Sequence, residues 1–395
     1  MKSRKINKAL AVYLFVTSSL VVIINFVLFC NLSIYNFIQN KDIYKTIHYN
    51  SMVMSENKFS QNRVIVPRGT ITPKYVKGIY LTAYSASRTD WIKRLIEKIK
   101  EGGEINTVVI DIKDSSGFVL YDSQIEMINR MKLKKVILKD VKTVVKQFHD
   151  ANIYVIARQT VFQDPILSKL NPKLAIKNKK GGTWYNYKGL AFADPQNKEV
   201  WEYNIKIAKE ATSLGFDEIN FDYVRYPSDG SISQIDFNIP AGKTKSDIMN
   251  SFFKYLSDQL TPTTKISLDL FGLTMDSINT KYDLGIGQRL LDTLDYFDYS
   301  CPMMYPSHYS KNYLGYSNPA AHPGPVIAYG IKKASPYFQN KRAKLRPWLQ
   351  AFNLGATYDK TMIKAEINAV ENTRSTEGWI LWNARNYYED YIYKK

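Results

Sequence analysis

Three aspartates that stand inside short apolar runs are the residues of this sequence best suited to chemistry. They are Asp111 in residues 109–113, Asp222 in residues 217–227 and Asp269 in residues 266–271. An ionised carboxylate is costly to bury, so an aspartate in such a run requires a partner or a catalytic role. Converging carboxyl groups suit glycoside hydrolysis, in which one acid protonates the leaving oxygen and one carboxylate attacks or activates water.

Other side chains, most of them near the ends of similar runs and one in the loop of residues 163–195, are candidates for binding a sugar. They are Tyr84, Arg158, Trp184, Arg225, Tyr305, Gln350 and Trp382. The aromatic rings offer flat apolar faces on which sugar rings stack. The arginines would keep one carboxylate ionised, whereas burial would raise the pKa of another.

Several of these residues also have a purely structural interpretation. Asp111 and Asp222 could form ion pairs that close the top of a barrel. Asp114 begins Asp-Ser-Ser-Gly, which favours a turn, and Asp194 precedes Pro195, which favours a helix cap. The four histidines lack metal-ligand spacing, so the sequence predicts neither a metal site nor a cofactor.

Eight apolar runs alternate with helix-like patterns and indicate the fold. The predicted strands are residues 76–84, 105–113, 153–160, 218–223, 266–271, 297–305, 347–352 and 378–383. Near-continuous apolar strands alternating with helices are typical of a parallel sheet covered on both faces. The count of eight favours an α/β fold of the (β/α)8 TIM-barrel type, although an open eight-stranded sheet would give a similar pattern. In such barrels the catalytic groups lie at the strand ends.

Side-chain alternation predicts that the three aspartates point into the barrel. Ile219 and Phe221 suit the helix-facing side, which turns Asp222 inward, and the same reasoning turns Asp111 and Asp269 inward. Helices are predicted to begin near Thr89, Asp194 and Ser246, and long loops at residues 163–195 and 307–324.

The first 40 residues differ from the rest. Four basic residues within the first eight precede residues 9–40, which carry no charge and are densely apolar up to Cys30. About 20 apolar residues span a bilayer, so we expect a transmembrane signal anchor in residues 1–40, a linker in 41–75 and the enzyme domain in 76–395. The positive-inside rule places that domain outside the cytoplasmic membrane, in the periplasm or on the cell surface. Lipidation at Cys30 is a weaker alternative.

The net charge of +18 raises the question of a nucleic-acid partner. Residues 132–145 combine lysines with valines and leucine at helical spacing, which predicts the solvated face of an amphipathic helix. A second basic cluster lies in residues 332–346. No nucleic-acid motif accompanies either cluster, so we expect no nucleic-acid partner; attraction of envelope polyanions remains an alternative. The two cysteines, Cys30 and Cys301, are not expected to form a disulfide.

Three segments together resemble a bacterial glycosyl hydrolase domain family. They are residues 78–86 (Gly-Ile-Tyr-Leu-Thr-Ala-Tyr-Ser-Ala), residues 109–117 (Val-Ile-Asp-Ile-Lys-Asp-Ser-Ser-Gly) and residues 216–230, which contain Asp-Tyr-Val-Arg-Tyr-Pro-Ser-Asp-Gly. The resemblance covers residues 76–385. It implies a TIM barrel that cleaves carbohydrate and is distantly related to the α-amylase-like barrels.

Comparison with the α-amylase-like barrels implies that Asp222 is the nucleophile on the fourth strand. This sequence departs from them because Asp269 stands where Glu is usual, Asn220 where Arg is usual, and Gln350 where a His-Asp pair is expected. These departures disfavour an α-glucan enzyme. They leave open whether Asp269 or Asp111 is the general acid.

The sequence thus predicts a membrane-anchored, extracytoplasmic glycoside hydrolase that acts on a polysaccharide or envelope glycan. The two carboxyl groups would lie about 5–5.5 Å apart for retention of configuration or about 6.5–9.5 Å apart for inversion, and both remain open. The alternative is a non-catalytic glycan-binding or cell-envelope scaffold protein with a degenerate barrel site. No oligomeric state is predicted.

Overall fold

Eight parallel strands close into a barrel in the computed structural model, which describes residues 72–394. The strands are β1 Val76–Leu81, β2 Thr107–Lys113, β3 Tyr154–Thr160, β4 Glu218–Asp222, β5 Lys265–Phe271, β6 Tyr299–Met304, β7 Trp348–Gln350 and β8 Gly378–Trp382. Each strand pairs with its successor, and β8 pairs back onto β1. The predicted barrel is therefore confirmed and the open sheet excluded.

Nine α-helices in the described part of the chain surround or cap the barrel. They are α1 Ala83–Ala86, α2 Thr89–Gly102, α3 Glu126–Met131, α4 Val141–His149, α5 Pro165–Leu170, α6 Lys198–Ser213, α7 Lys245–Leu260, α8 Pro323–Ala334 and α9 Lys360–Thr373. Between β5 and β6 the chain forms 3-10 turns, including Gly272–Thr274 and Leu290–Thr293.

Local capping explains where the elements depart from the predicted limits. Strand β1 stops at Leu81 because the Thr82 hydroxyl accepts a hydrogen bond from Ser85 N at 3.2 Å and starts α1. Helix α6 begins three residues after the predicted Asp194-Pro195 start. There the Asn197 side chain caps the helix, while Asp194 holds the preceding turn through Gln196 N at 2.9 Å.

The prediction of an amphipathic helix over residues 132–145 is wrong for the first half of that segment. Lys134–Leu138 is a strand that pairs with Val119–Tyr121, and that short strand pairs antiparallel with β2. Helix α4 begins only at Val141, because Asp140 accepts a hydrogen bond from Thr143 N at 3.0 Å and caps it. β-Branched residues pack well in strands, which overrides the helical spacing here.

The barrel separates two apolar cores. One lies between the strands and the helices and includes Ile219 and Phe221. The other fills the barrel interior and includes Tyr80, Tyr299 and Trp348. The opposite facing of alternate residues confirms the predicted direction of the strand-4 side chains.

A fully buried ion pair occupies the interior near the amino-terminal ends of the strands. Arg346, the last member of the second basic cluster, binds Glu218 through both terminal nitrogens, with Nη1 at 3.1 Å from Oε2. Ser267 Oγ donates to Glu218 Oε1 at 2.5 Å, and the Arg346 guanidinium lies 4.0 Å from the Tyr299 ring centroid. This pair fixes β4 to the segment before β7 across the barrel.

The predicted anchor in residues 1–40 and most of the linker lie outside the described residues. Within residues 72–394, no helix has the length and apolarity needed to cross a membrane.

Arg346→Met should lower the free energy of unfolding by about 3–5 kcal/mol, because it leaves the Glu218 carboxylate buried without its cation. Chemical denaturation of the purified protein measures this loss. Arg342→Met is the matched control, since Arg342 and its partner Asp298 are partly exposed and an exposed pair contributes about 1 kcal/mol or less. Equal losses in both variants would contradict a special role for the interior pair.

Candidate active site

The guanidinium of Arg158 joins the three predicted aspartates at the carboxyl ends of the strands. Its Nη1 lies 2.6 Å from Asp111 Oδ1, and its Nη2 donates to Asp222 Oδ2. Its Nε lies 4.0 Å from Asp269 Oδ2. Because β3 lies between β2 and β4, an inward arginine on it reaches carboxylates on both neighbouring strands. The structure therefore brings the four predicted residues together.

Two aromatic residues pack against Arg158. The rings of Tyr80 and Trp382 are stacked with centroids 3.9 Å apart, and the Arg158 guanidinium lies 4.9 Å from the Trp382 centroid. Tyr80 Oη also donates to Asp111 Oδ2 at 2.5 Å. Tyr80 was not among the predicted site residues, although alternation along β1 and its place in residues 78–86 could have identified it.

Asp222 is the last residue of β4 and directly precedes a strained backbone position. Its Oδ1 accepts a hydrogen bond from Tyr223 N at 2.5 Å, and Tyr223 itself has φ = 53°. Such left-handed conformations are rare for residues with side chains and cluster at functional sites. Both Asp222 oxygens thus accept hydrogen bonds from N–H donors, which matches the needs of an ionised carboxylate.

Asp269 is the most deeply buried of the three, with 1% of its surface exposed. Its Oδ1 accepts hydrogen bonds from Trp348 Nε1 at 2.7 Å and Asn220 Nδ2 at 2.8 Å. Burial raises the pKa of Asp269 well above its usual range, and the nearby charge of Asp222 raises it further. Because Oδ1 is occupied by two donors, a bound proton belongs on Oδ2. Trp348 was not predicted as a site residue.

Asp111 has both of its oxygens occupied, one by Arg158 and one by Tyr80. Burial raises its pKa, and the Arg158 charge and the hydrogen bond from Tyr80 oppose that rise. Asp111 therefore holds the Arg158 side chain in position.

Asp222 and Asp269 are neighbours across adjacent strands. The register pairs Phe221 with Leu268, so the next residue of each strand stands beside the other. Both carboxyl groups face Arg158 from this position. Asp111 is separated from Asp222 by the width of β3.

Two other predicted sugar-binding residues lie at the edge of this cluster. Arg225 lies 5.0 Å from the Tyr223 ring centroid and 4.9 Å from that of Phe271. Tyr305, which follows β6, is buried, and the charges of Asp269 and Asp222 add to the effect of burial in raising its pKa.

The structure does not bring Tyr84, Trp184 or Gln350 into contact with the cluster. Tyr84 is exposed on α1, 5.8 Å from Lys135 Nζ. Trp184 is buried inside the loop that follows α5, where its Nε1 donates to Ser231 O at 3.2 Å. Gln350 is also fully buried, and its side chain joins the loops after β6 and β7 through Ser307 and Phe352.

The two aspartates predicted to hold a turn and a helix cap, Asp114 and Asp194, both hold turns. Asp114 Oδ1 accepts hydrogen bonds from Ser116 N at 2.9 Å and Ser116 Oγ at 2.5 Å. Asp194 has the turn role described above. Among residues 72–394, no group of histidine, cysteine and acidic residues is arranged to hold a metal ion.

A closed (β/α)8 barrel with acidic residues at the carboxyl ends of its strands defines the class of protein as a barrel enzyme. Residues 78–388 match the model of the family DUF4015, described as "Putative glycosyl hydrolase domain". The chain belongs to this family of glycosyl hydrolase domains, which confirms the resemblance and the enzyme class predicted from the sequence. Among curated proteins, no match to this chain is found.

Solved glycoside hydrolase structures share the fold. The glycoside hydrolase domain of PgaB (BpsB) from Bordetella bronchiseptica has a TM-score of 0.57 at 12% identity, covering 78% of this chain and 94% of its own. An inactive mutant of the GH20 exo-β-N-acetylglucosaminidase from Vibrio harveyi has a TM-score of 0.51 at 10% identity, covering 78% and 50%. A separate similarity lies in the sequence: a hypothetical protein from Ruminiclostridium thermocellum is 39% identical over 48% of this chain and 96% of its own, with a TM-score of 0.45.

Asp269 should keep its proton at a pH where an ordinary aspartate, with a pKa of about 3.9, is ionised. Carboxyl ¹³C shifts of aspartate-labelled protein across a pH titration measure this. Asp222→Asn should lower the Asp269 pKa, because it removes a neighbouring negative charge. Trp348→Phe should raise it, because it removes a donor to the ionised form.

Stability provides a second readout of the same titration. The folded protein holds the Asp269 proton more tightly than the unfolded chain does, so stability falls as the pH rises from the unfolded pKa through the folded one. If the carboxyl ¹³C shift of Asp269 changed over the same pH range as the shifts of exposed aspartates, the assignment of a tightly held proton to Asp269 would be contradicted.

Proposed function

We propose that this protein hydrolyses O-glycosidic bonds of a polysaccharide or envelope glycan, with Asp222 as nucleophile and Asp269 as general acid. The observation that carries the proposal is the difference between two adjacent carboxyl groups. Asp222 receives N–H donors on both oxygens, whereas Asp269 is buried and keeps one oxygen for a proton. A carboxylate held by N–H donors beside a carboxyl group whose pKa is raised is the pair that a nucleophile and a general acid require.

Asp269 suits the acid role better than Asp111. The raised pKa of Asp269 keeps it protonated, and its Oδ2 has only the weak contact with Arg158 Nε at 4.0 Å. Asp111 instead has a close cation on one oxygen and a phenol donor on the other. A proton on Asp111 would oppose both the ion pair and the tyrosine hydrogen bond.

The strand spacing supports retention of configuration. Neighbouring strands lie about 4.7–4.9 Å apart, and Asp222 and Asp269 stand at the same level on adjacent strands. That spacing is close to the separation of about 5–5.5 Å used by retaining enzymes and shorter than the 6.5–9.5 Å of inverting ones. In this mechanism Asp222 attacks the anomeric carbon while Asp269 protonates the leaving oxygen. Asp269 then takes a proton from the water that releases the sugar.

The location of the enzyme is part of the proposal. The basic tip followed by the uncharged residues 9–40 supports a signal anchor. We place the barrel outside the cytoplasmic membrane, where envelope glycans are its natural substrates.

A second candidate function is a non-catalytic glycan-binding or scaffold protein. The deep burial of all three carboxyl groups favours it, since none exposes more than 6% of its surface. Glycan binding that persists without any bond cleavage by the wild type would support this candidate over the enzyme.

Asp222→Asn should reduce the release of reducing ends from a panel of polysaccharides and envelope glycans by about a thousandfold or more, because the nucleophile is lost. Asp269→Asn should reduce it by about 10²–10⁴-fold, with a smaller loss on aryl glycosides whose leaving group needs no proton. Asp258→Asn, on the exposed face of α7, is the matched control and should leave activity unchanged. Circular dichroism verifies that each variant is folded. If the activity loss depended on the leaving group in Asp111→Asn and not in Asp269→Asn, Asp111 would be the general acid.

The first product released should keep the anomeric configuration of the substrate. Proton NMR recorded in the first minutes of hydrolysis, before mutarotation, distinguishes the two anomers. An inverted first product would contradict Asp222 as nucleophile and would make it the base that activates water.

A further inference from the structure

Three arginines are buried in the described part of the chain, and they differ in how their charge is balanced. Arg158 has the carboxylates of Asp111 and Asp222, and Arg346 has Glu218. Arg225 exposes only 7% of its surface, yet within residues 72–394 it forms no ion pair. A buried cation without a counter-ion is unfavourable unless a partner supplies the charge.

Aromatic rings hold the Arg225 guanidinium in place. It lies 4.9 Å from the Phe271 centroid, 5.0 Å from that of Tyr223 and 5.8 Å from that of Phe192. Its Nη1 donates to Tyr226 O at 3.0 Å, which fixes the plane of the group and uses one of its five N–H donors. No other described residue accepts a hydrogen bond from the Arg225 side chain, so its remaining N–H donors are available to a planar acceptor.

The position of Arg225 links it to the proposed reaction centre. Tyr223 directly follows Asp222, and Phe271 stands two residues beyond Asp269 on the same side of β5. A guanidinium close to both rings therefore lies at the carboxyl ends of β4 and β5, near enough to Asp222 to interact with its charge.

The charges that face Arg225 do not neutralise it. They are Asp222 and Asp229. Burial lowers the Arg225 pKa and outweighs the opposing effects of Tyr223, Asp222 and Asp229. Asp222 is already paired with Arg158, and Asp229 Oδ2 accepts a hydrogen bond from Asn186 Nδ2 at 3.0 Å. The two other buried arginines have a raised pKa because of their carboxylate partners.

We propose that Arg225 binds a carboxylate carried by the substrate, so that the enzyme acts on an anionic, uronate-type glycan. This inference rests on the proposed glycosidase function and names its substrate class. A planar guanidinium matches a carboxylate through two parallel hydrogen bonds, which a neutral hydroxymethyl group cannot reproduce. The net charge of +18 would also concentrate an anionic polymer near the enzyme.

The test measures binding by calorimetry to several polyuronates and to their carboxyl-reduced forms, which keep the sugar backbone and lose the charge. The full-length chain carrying Asp222→Asn is used, so that binding is separated from turnover. At least one polyuronate should bind about tenfold or more tightly than its reduced form, as expected for a charge-assisted bidentate contact. Arg225→Met in the same background should abolish this preference, and Arg225→Lys should restore only part of it.

Lys341→Met is the matched control, because it removes one charge from the segment before β7, where Lys341 pairs with Asp295 at 2.9 Å. It should leave the preference unchanged. The proposal is overturned if no pair of polymers shows the preference, or if the preference persists in Arg225→Met. Failure of the wild type to hydrolyse the bound polymer would contradict the glycosidase function alone, since the binding comparison needs no cleavage.

Discussion

The site depends on one guanidinium that faces three carboxyl groups in a space nearly closed to water. If all three were ionised, the cluster would carry two uncompensated negative charges, which a low-dielectric interior does not tolerate. Arg158 can neutralise one carboxylate fully and share a second, so at least one proton must be held. Asp269 is the group that holds it, because it is the most buried and the farthest from the cation. Charge balance thus separates the carboxyl groups into an acid and an anion.

The barrel makes this arrangement possible by alternating polar layers with apolar ones. Near the amino-terminal ends of the strands, Arg346 binds Glu218 through both terminal nitrogens, and both side chains are fully buried. Tyr299 and Trp348 lie in the interior core, and at the opposite end Arg158 pairs closely with Asp111 and Asp222 but lies 4.0 Å from Asp269. The Arg346–Glu218 pair connects strands to each other, whereas the cluster around Arg158 contains the carboxyl groups proposed to react. Both networks contain buried ion pairs. They differ because carboxyl groups outnumber the arginine only in the network around Arg158.

Much of the fold and the heart of the site could be predicted because both follow local rules. Buried parallel strands are continuous in apolar character, and a period of two turns Asp111, Asp222 and Asp269 to one side. Contacts made across the barrel follow no such rule. The hydrogen bond from Trp348 to Asp269 joins residues 79 positions apart, and the chain around Trp348 has no feature that distinguishes it from a core residue. Likewise, Tyr84 seemed to extend β1, but the Thr82 cap turned that segment into a helix.

The choice of arginine at position 158 follows from the need to reach two strands at once. Nη1 binds Asp111 on β2 and Nη2 binds Asp222 on β4, while the flat face packs near Trp382. A lysine has a single charged atom and no flat face, so it could pair with Asp111 or with Asp222 but not with both. The planar fork therefore links β2, β3 and β4 at the mouth. It also holds Asp222 beside Asp269, where a nucleophile and an acid could act on one glycosidic bond.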